Sequence, residues 1–285
     1  MKNVIFVSDL FADQYTGGAE LTTAALMKSA DRASYTVGRV NSEHVTKEML
    51  VQNKNAHWIV CNFAGLNEDS KVYMCRNIEY SIVEYDYKLC RFRSLQKHHM
   101  ATGSECDCLK DMSGKINTAF YGYAKKIWFM SEGQKKVFFS KLPVLKEEKC
   151  EVLSSIFNDG DLRFMESLRT NEKNDTYLIL KSSSWIKGTA DCVKYAQENN
   201  LNYELVENLP YHELLIKLSC SRGLIFRPLG DDTCPRIVIE ARLLGCDIII
   251  NDHVQHGAES WFKTPALAQE YLSSRTSVFW SYYAK

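Results

Sequence analysis

Residues 226–240 read Phe226-Arg227-Pro228-Leu229-Gly230-Asp231-Asp232-Thr233-Cys234-Pro235-Arg236-Ile237-Val238-Ile239-Glu240. The run Gly223–Phe226 that leads into it is short, apolar and β-prone, and Arg236–Leu244 behind it has helical spacing. Pro235 suits the first helical turn, where its missing N–H costs nothing. The stretch reads as a strand-to-helix crossover of an α/β fold. It carries two carboxylates with seven residues between them, Asp232 in the loop and Glu240 inside the helix. Carboxylates so placed can accept from the hydroxyls of a sugar and a ribose. The plainer alternative is an acidic loop that complements the helix dipole, with Glu240 on the surface. The apolar neighbours Val238, Ile239 and Ala241 speak against that exposure.

The same alternation extends outward. Tyr177–Leu180, Tyr203–Val206 and Asp247–Ile250 read as strands, and Thr189–Glu198, Tyr211–Cys220 and Thr264–Ser273 as helices. The first half offers strands at Asn3–Ser8, Tyr35–Val40, His57–Asn62, Lys71–Cys75, Ser81–Val83, Lys126–Met130 and Glu151–Leu153. Its helices are expected at Ala19–Ala30, Glu43–Gln52 and Glu132–Ser140, and 84–115 shows no period. Strand–helix alternation makes parallel sheets covered on both faces. The expectation is two Rossmann-like α/β domains facing one another across a cleft. They are an N-terminal one over 1–155, a C-terminal one over 156–260, and a tail, 261–285, that returns to the first.

Composition bounds the function. The chain has 285 residues, 35 Lys plus Arg against 35 Asp plus Glu, and 45% hydrophobic residues. Zero net charge excludes a global nucleic-acid footprint, though not a local basic patch. No apolar run approaches the roughly 18 residues of a membrane span. Asp9 interrupts the apolar start before a signal-peptide core forms. Most of the ten cysteines stand singly in apolar runs, as Cys61, Cys75, Cys220 and Cys246 do, which is the pattern of reduced thiols. A cytoplasmic location is expected.

Ligands of open α/β sheets bind outside the carboxyl ends of the strands, so the post-strand loops matter most. Gly17-Gly18-Ala19-Glu20 ends the first such loop at a helix start, where backbone N–H groups can meet an anion. Lys181–Gly188 follows Tyr177–Leu180 and offers Ser182, Ser183, Ser184 and Lys187, hydroxyl donors with a point charge that would suit a diphosphate. A Ser-rich cap with a solvated Lys is the rival reading.

Taken together these motifs resemble the retaining nucleotide-sugar glycosyltransferases of family 4, which have the GT-B fold. The resemblance rests on Gly17-Gly18-Ala19-Glu20, on Lys187-Gly188, and on Asp232 and Glu240 followed by Gly245 and Asp247–Ile250. It implies a metal-independent hexosyltransferase with a nucleotide-diphosphate sugar as donor and no further cofactor. Lys187, with Gly188 and Ser183, would take the diphosphate, and Glu240 the ribose. Asp232 and the backbone of Thr233, Cys234, Pro235 and Arg236 would hold the transferred sugar. Gly17 and Gly18 would let the first loop approach the phosphates. Glu20, Arg91 and Arg93 would lie on the acceptor side. The acceptor implied is a saccharide or glycan, with a modified base in DNA as a further possibility. Two departures stand out: Asp232 replaces the usual Glu, and the usual Arg ahead of Lys187 is absent. They keep open a second class, a catalytically inactive GT-B protein that binds nucleotide sugars or glycans. An NAD-dependent oxidoreductase is disfavoured, because no G-x-G-x-x-G follows the first strand.

The segment 84–115 holds what remains. Asp86 is the candidate base for the acceptor proton. Lys88, Arg91, Arg93, Lys97, His98 and His99 form a basic run that could serve a phosphate-bearing acceptor, or simply a solvated loop. Cys90, His98, His99, Cys106 and Cys108 could hold zinc. Their spacing lacks a paired C-x-x-C, so scattered thiols and no metal are the expectation. Trp280, Tyr282 and Tyr283 near the end are expected to be buried against the first domain.

Overall fold

The computed structural model describes residues 2–30 and 33–284. Two units divide the chain: Met1–Ile156 with Arg275–Lys285, and Phe157–Ser274. The first holds strands β1 (Lys2–Ser8), β2 (Tyr35–Asn41), β3 (His57–Val60), β4 (Tyr80–Glu84), β5 (Ile127–Phe129) and β6 (Cys150–Val152). They form one parallel sheet in the order β2-β1-β3-β4-β5-β6. Its helices are α1 (Gly18–Ser29), α2 (Lys47–Gln52), α3 (Glu68–Asn77), α4 (Leu95–Thr102), α5 (Met112–Tyr123) and α6 (Glu132–Lys141). All five residues of β4 are buried, which explains its unbroken run and its lack of alternation. Trp58, Tyr80, Ile82, Phe120, Phe129 and Phe138 centre the core on one side of this sheet.

The second unit opens with α7 (Asp159–Leu168). It continues through β7 (Tyr177–Leu180), α8 (Thr189–Glu198), β8 (Tyr203–Val206), α9 (Tyr211–Ser219), β9 (Gly223–Phe226), α10 (Arg236–Leu243) and β10 (Asp247–Ile250). The parallel order is β10-β9-β7-β8. Each unit is thus Rossmann-like, with strand order reversing direction between β1 and β3 in the first and between β7 and β9 in the second. Such switch points are where ligands of parallel sheets bind.

The last helix, α11 (Pro265–Tyr283), ends in the first unit. There Trp280 stacks on Tyr35 and donates to Ser29, while the Tyr283 hydroxyl accepts from the Trp128 indole. No helix among the described residues is long and apolar enough to cross a membrane.

Two expectations need correction. Lys71–Cys75 is not a strand but lies inside α3. The Asn67 side chain caps that helix by accepting from Ser70 N–H, and Glu68 and Asp69 fill its first turn. Nor is 84–115 without regular structure, since it contains α4, a short 3-10 turn (Cys108–Lys110) and the start of α5.

Beyond β10, His256 is fully buried, ringed by Trp261 and Phe262, and burial pushes its pKa from the ordinary 6.5 down to about 3. Below pH 6.5 the unfolded chain therefore takes a proton that the folded chain refuses. The stability that neutral His256 contributes is complete above that pH and is lost as pH falls, at about 1.4 kcal/mol per unit. His57, lowered to about 4 by burial, acts in the same sense, and the buried carboxyls Glu84 and Glu240, raised by burial, act against it. A difference measurement isolates His256. Urea midpoints of the wild type and His256→Gln should converge as pH falls from 6.5 to 4.5. Parallel pH dependences would contradict the account.

Candidate functional site

At the β7/β9 switch the sequence places Lys187 and Asp232. After β7 the chain makes a 3-10 turn, Trp185–Lys187, and enters α8 through Gly188 in the left-handed region. Gly188 is needed twice over. Its φ is +60°, and a Cβ there would lie 2.1 Å from the Arg227 carbonyl oxygen. The post-β7 loop thus lies directly on the post-β9 loop, and Leu229 N–H donates to Ile186 O at 3.1 Å. This contact brings Lys187 Nζ within 2.7 Å of Asp232 Oδ2. Asp232 is itself fixed by backbone, its N–H donating to His253 O and its carbonyl accepting from Gln255 N–H. The result is a half-buried ammonium at the carboxyl end of the sheet, beside the chain's entry to α10.

Pro235 stands at the cap of α10, and Thr233, Cys234 and Arg236 are buried around it. Glu240 is buried as well. Its Oε1 accepts from the Tyr211 hydroxyl at 2.9 Å and lies 3.4 Å from Arg236 Nε. The Arg236 guanidinium in turn covers the Phe157 ring at 3.8 Å. Burial raises the Glu240 carboxyl, with Arg236 and Tyr211 opposing that rise. Glu240 therefore lies one turn into α10, engaged with its own side-chain partners. Ser183 is exposed. Its neighbours form a turn in which Ser184 N–H donates to Ser182 Oγ and Ser182 N–H to Thr189 Oγ1.

The first unit has its own cluster at the β1/β3 switch. Asp9, directly after β1, accepts from Ser42 Oγ and from Gly65 N–H. Arg93 reaches it at 3.7 Å, donates to Asp86 at 2.6 Å through Nε, and contacts Asn62 at 3.3 Å. Lys88, buried after β4, donates to Glu84 at 2.8 Å and Asp86 at 3.0 Å. Tyr121 donates to the other Glu84 oxygen, and Gln134 donates to the carbonyls of Glu84 and Asp86. Burial works to raise the Asp86 carboxyl, but Lys88 and Arg93 prevail and hold it below the usual range. A carboxylate so held is a weak proton acceptor, which argues against the base role expected of Asp86.

Gly17 caps α1 in an extended conformation, and a Cβ there would lie 2.4 Å from Glu20 Oε2. Glu20 thus folds back over the helix start where a phosphate was expected, and burial raises its carboxyl. Gly18 is the first residue of α1. An anion reaching this spot would need Glu20 to move or to be protonated. The basic run is divided: Lys88 and His98 are buried and Arg93 is held by Asp86, whereas Lys97 and His99 are exposed. Arg91 is exposed and lies over Phe92.

No protein-family model and no curated protein sequence matches the chain. Solved structures do. HepE of Anabaena, in complex with UDP and glucose, is similar at TM-score 0.56 and 11% identity, over 97% of this chain and 95% of that one. The catalytic domain of starch synthase IV from Arabidopsis thaliana, bound to ADP and acarbose, is similar at TM-score 0.61 and 8% identity, over 100% and 99%. An alpha-glucosyltransferase in complex with UDP and a 13-mer DNA containing a HMU base follows at TM-score 0.53 and 8% identity, over 99% and 97%. The fold is GT-B.

Within this GT-B chain the structure joins Lys187, Gly188 and Asp232, and separately Arg236 and Glu240. It adds residues that sequence reasoning passed over. Tyr211 bridges Glu240 and Arg236 from the start of α9. Arg227, directly after β9, pairs with Asp191 and covers Tyr195. Asp9 was within the loop singled out by sequence, and its position immediately after β1 was the available signal. Nothing in the local sequence marks Tyr211.

Proposed function

We propose that the chain is a glycosyltransferase that moves a hexose or related sugar, with retention, from a nucleotide-diphosphate sugar to an acceptor hydroxyl. The observation that carries this reading is the Lys187–Asp232 pair at the β7/β9 switch, on loops interlocked through Gly188. Breaking the glycosidic C–O bond leaves added negative charge on the diphosphate. Lys187 offsets that charge from a fixed position, without reorganisation during the reaction. Backbone N–H groups at the start of α10 supply further donors. In this role Lys187 exchanges Asp232 for the diphosphate, and Asp232 is released to accept from a sugar hydroxyl. Glu240 takes the ribose hydroxyls, for which its hydrogen bond to Tyr211 must open. The charge is met by side chain and backbone, so no divalent ion is required. Glu20 and Arg93 in the first unit are the candidates for acceptor contacts, and a saccharide or glycan is the acceptor this reading favours. HepE, in complex with UDP and glucose, and starch synthase IV, bound to ADP and acarbose, support the nucleotide-sugar donor.

A thermal-shift panel of nucleotide diphosphates and nucleotide sugars, with and without EDTA, tests the reading. One donor should raise the Tm whether or not EDTA is present. Ligand at 100 times its Kd adds about 2.7 kcal/mol. Stabilisation by no nucleotide would defeat the proposal. Stabilisation without transfer to any acceptor would favour the alternative, an inactive nucleotide-sugar-binding protein.

A further inference from the structure

Among the described residues, the most concentrated metal-ligating chemistry lies outside the donor motifs, in the loop and helix that follow β4. The sequence presents Cys90, His98, Cys106 and Cys108 at uneven intervals, the first three separated by seven residues each and the last two by one. Folding erases that unevenness. Ser94 caps α4 by accepting from Lys97 N–H, and Gly103 ends the helix in the left-handed region, which turns the chain back on itself. Cys106 and Cys108 are thereby returned to Cys90, and His98 projects from α4 between them. The four ligand atoms lie within 4.8 Å of one another. Expecting scattered thiols here was wrong, because spacing along the chain says little once a capped helix reverses it.

We propose that Cys90, His98, Cys106 and Cys108 form a structural zinc site. His98 Nδ1 is 3.5 Å from Cys90 Sγ and 3.5 Å from Cys108 Sγ. A tetrahedral site with Zn–S bonds of about 2.3 Å and a Zn–N bond of about 2.1 Å requires nitrogen–sulfur edges of about 3.6 Å. The surroundings suit thiolates. Phe92 N–H donates to Cys90 Sγ at 3.4 Å and Arg91 N–H to Cys108 Sγ at 3.5 Å. The far nitrogen of His98, Nε2, is buried without a hydrogen-bond partner, and the Asp107 carboxylate lies 3.7 Å from it. A carboxylate on the second ring nitrogen is the arrangement that orients a histidine ligand.

Packing supplies an independent argument. Helix α4 has eight residues, and the only one fully buried is His98. A helix this short is marginal by itself, and of the apolar side chains of α4 only Leu95 packs against the core. Ligation through His98 fixes it. Four protein ligands leave no open position, so the metal is structural and not catalytic. His99, on the exposed side of α4, takes no part. The inference stands whether or not the chain transfers sugar.

The experiment is elemental analysis of the full chain, purified without a metal-affinity tag, together with cobalt substitution. About one zinc per chain is expected in the wild type and in His99→Ala, and less than about a tenth of that in Cys108→Ser and His98→Ala. Should those variants fail to fold, the wild type still decides the matter. Cobalt-loaded wild type should show the intense visible bands of a tetrahedral ion with sulfur-to-metal charge transfer, and His98→Cys should keep the metal and shift those bands toward an all-sulfur site. A wild-type chain that carries no zinc and takes up no cobalt, or one in which two of the three thiols are joined as a disulfide, would overturn the proposal.

Discussion

Lys187→Ala should lower kcat/KM for sugar transfer about 100- to 1,000-fold, the loss typical when one preorganised donor to developing negative charge is removed. Lys187 Nζ stands 2.7 Å from Asp232 on loops that Gly188 locks together, so its position is set before any donor arrives. The pair is partly exposed, and its contribution to stability should be no more than about 1 kcal/mol. Activity and stability are thus expected to separate. Lys187→Arg keeps the charge but not the compact ammonium geometry, so it should recover only part of the rate. Transfer kinetics and urea midpoints on the same preparations check this. Wild-type kinetics in Lys187→Ala would remove the residue from the site, and the site from the β7/β9 switch.

Lys88→Met should be the most destabilising single change considered, at about 3–5 kcal/mol, because it strips the partner from a buried carboxylate. Lys88 and Glu84 are almost wholly inaccessible, and Lys88 also binds Asp86. Without Lys88, Glu84 keeps Tyr121 and the Asp86 N–H but no cation. Two further measurements identify the mechanism. The double variant Lys88→Met/Glu84→Gln should recover much of the loss, since the buried charge is gone. The deficit of the single variant should also shrink as pH falls, because protonation of Glu84 removes the uncompensated charge. A deficit unchanged by either would assign the effect to lost packing.

These predictions draw on features of unequal legibility. Strands β7 and β9 could be read from sequence because buried parallel strands are short apolar runs closed by turn residues. Gly188 and Asp232 could be singled out for the same reason, since they lie in the loops that follow such runs. Lys71–Cys75 misled because Val72 and Tyr73 are β-prone, while the helix signal lay upstream in Asn67. Lys88 and Arg93 read as solvated charge, and only the convergence of Glu84 at the end of β4, Asp86 just beyond it and Asp9 after β1 draws one inside and pins the other. Tyr211 likewise joins Glu240 through tertiary contact alone. The four zinc ligands were visible one by one, but their meeting depends on the reversal at Gly103.

The interrupted course of the first unit bears on how the chain is made. Residues 275–284 complete a surface that β1, β2 and β5 present much earlier, through Phe6, Tyr35 and Trp128. Between them the ribosome must produce the whole of Phe157–Ser274, which takes roughly 6–24 seconds at typical synthesis speeds of about 5–20 residues per second. During that interval the nascent first unit carries uncovered aromatic surface, open to chaperones or to a neighbouring nascent chain. The thermodynamic penalty for the long insertion is small, because closure entropy grows only with the logarithm of length. The hazard is kinetic, and it falls on the newborn protein rather than the finished one.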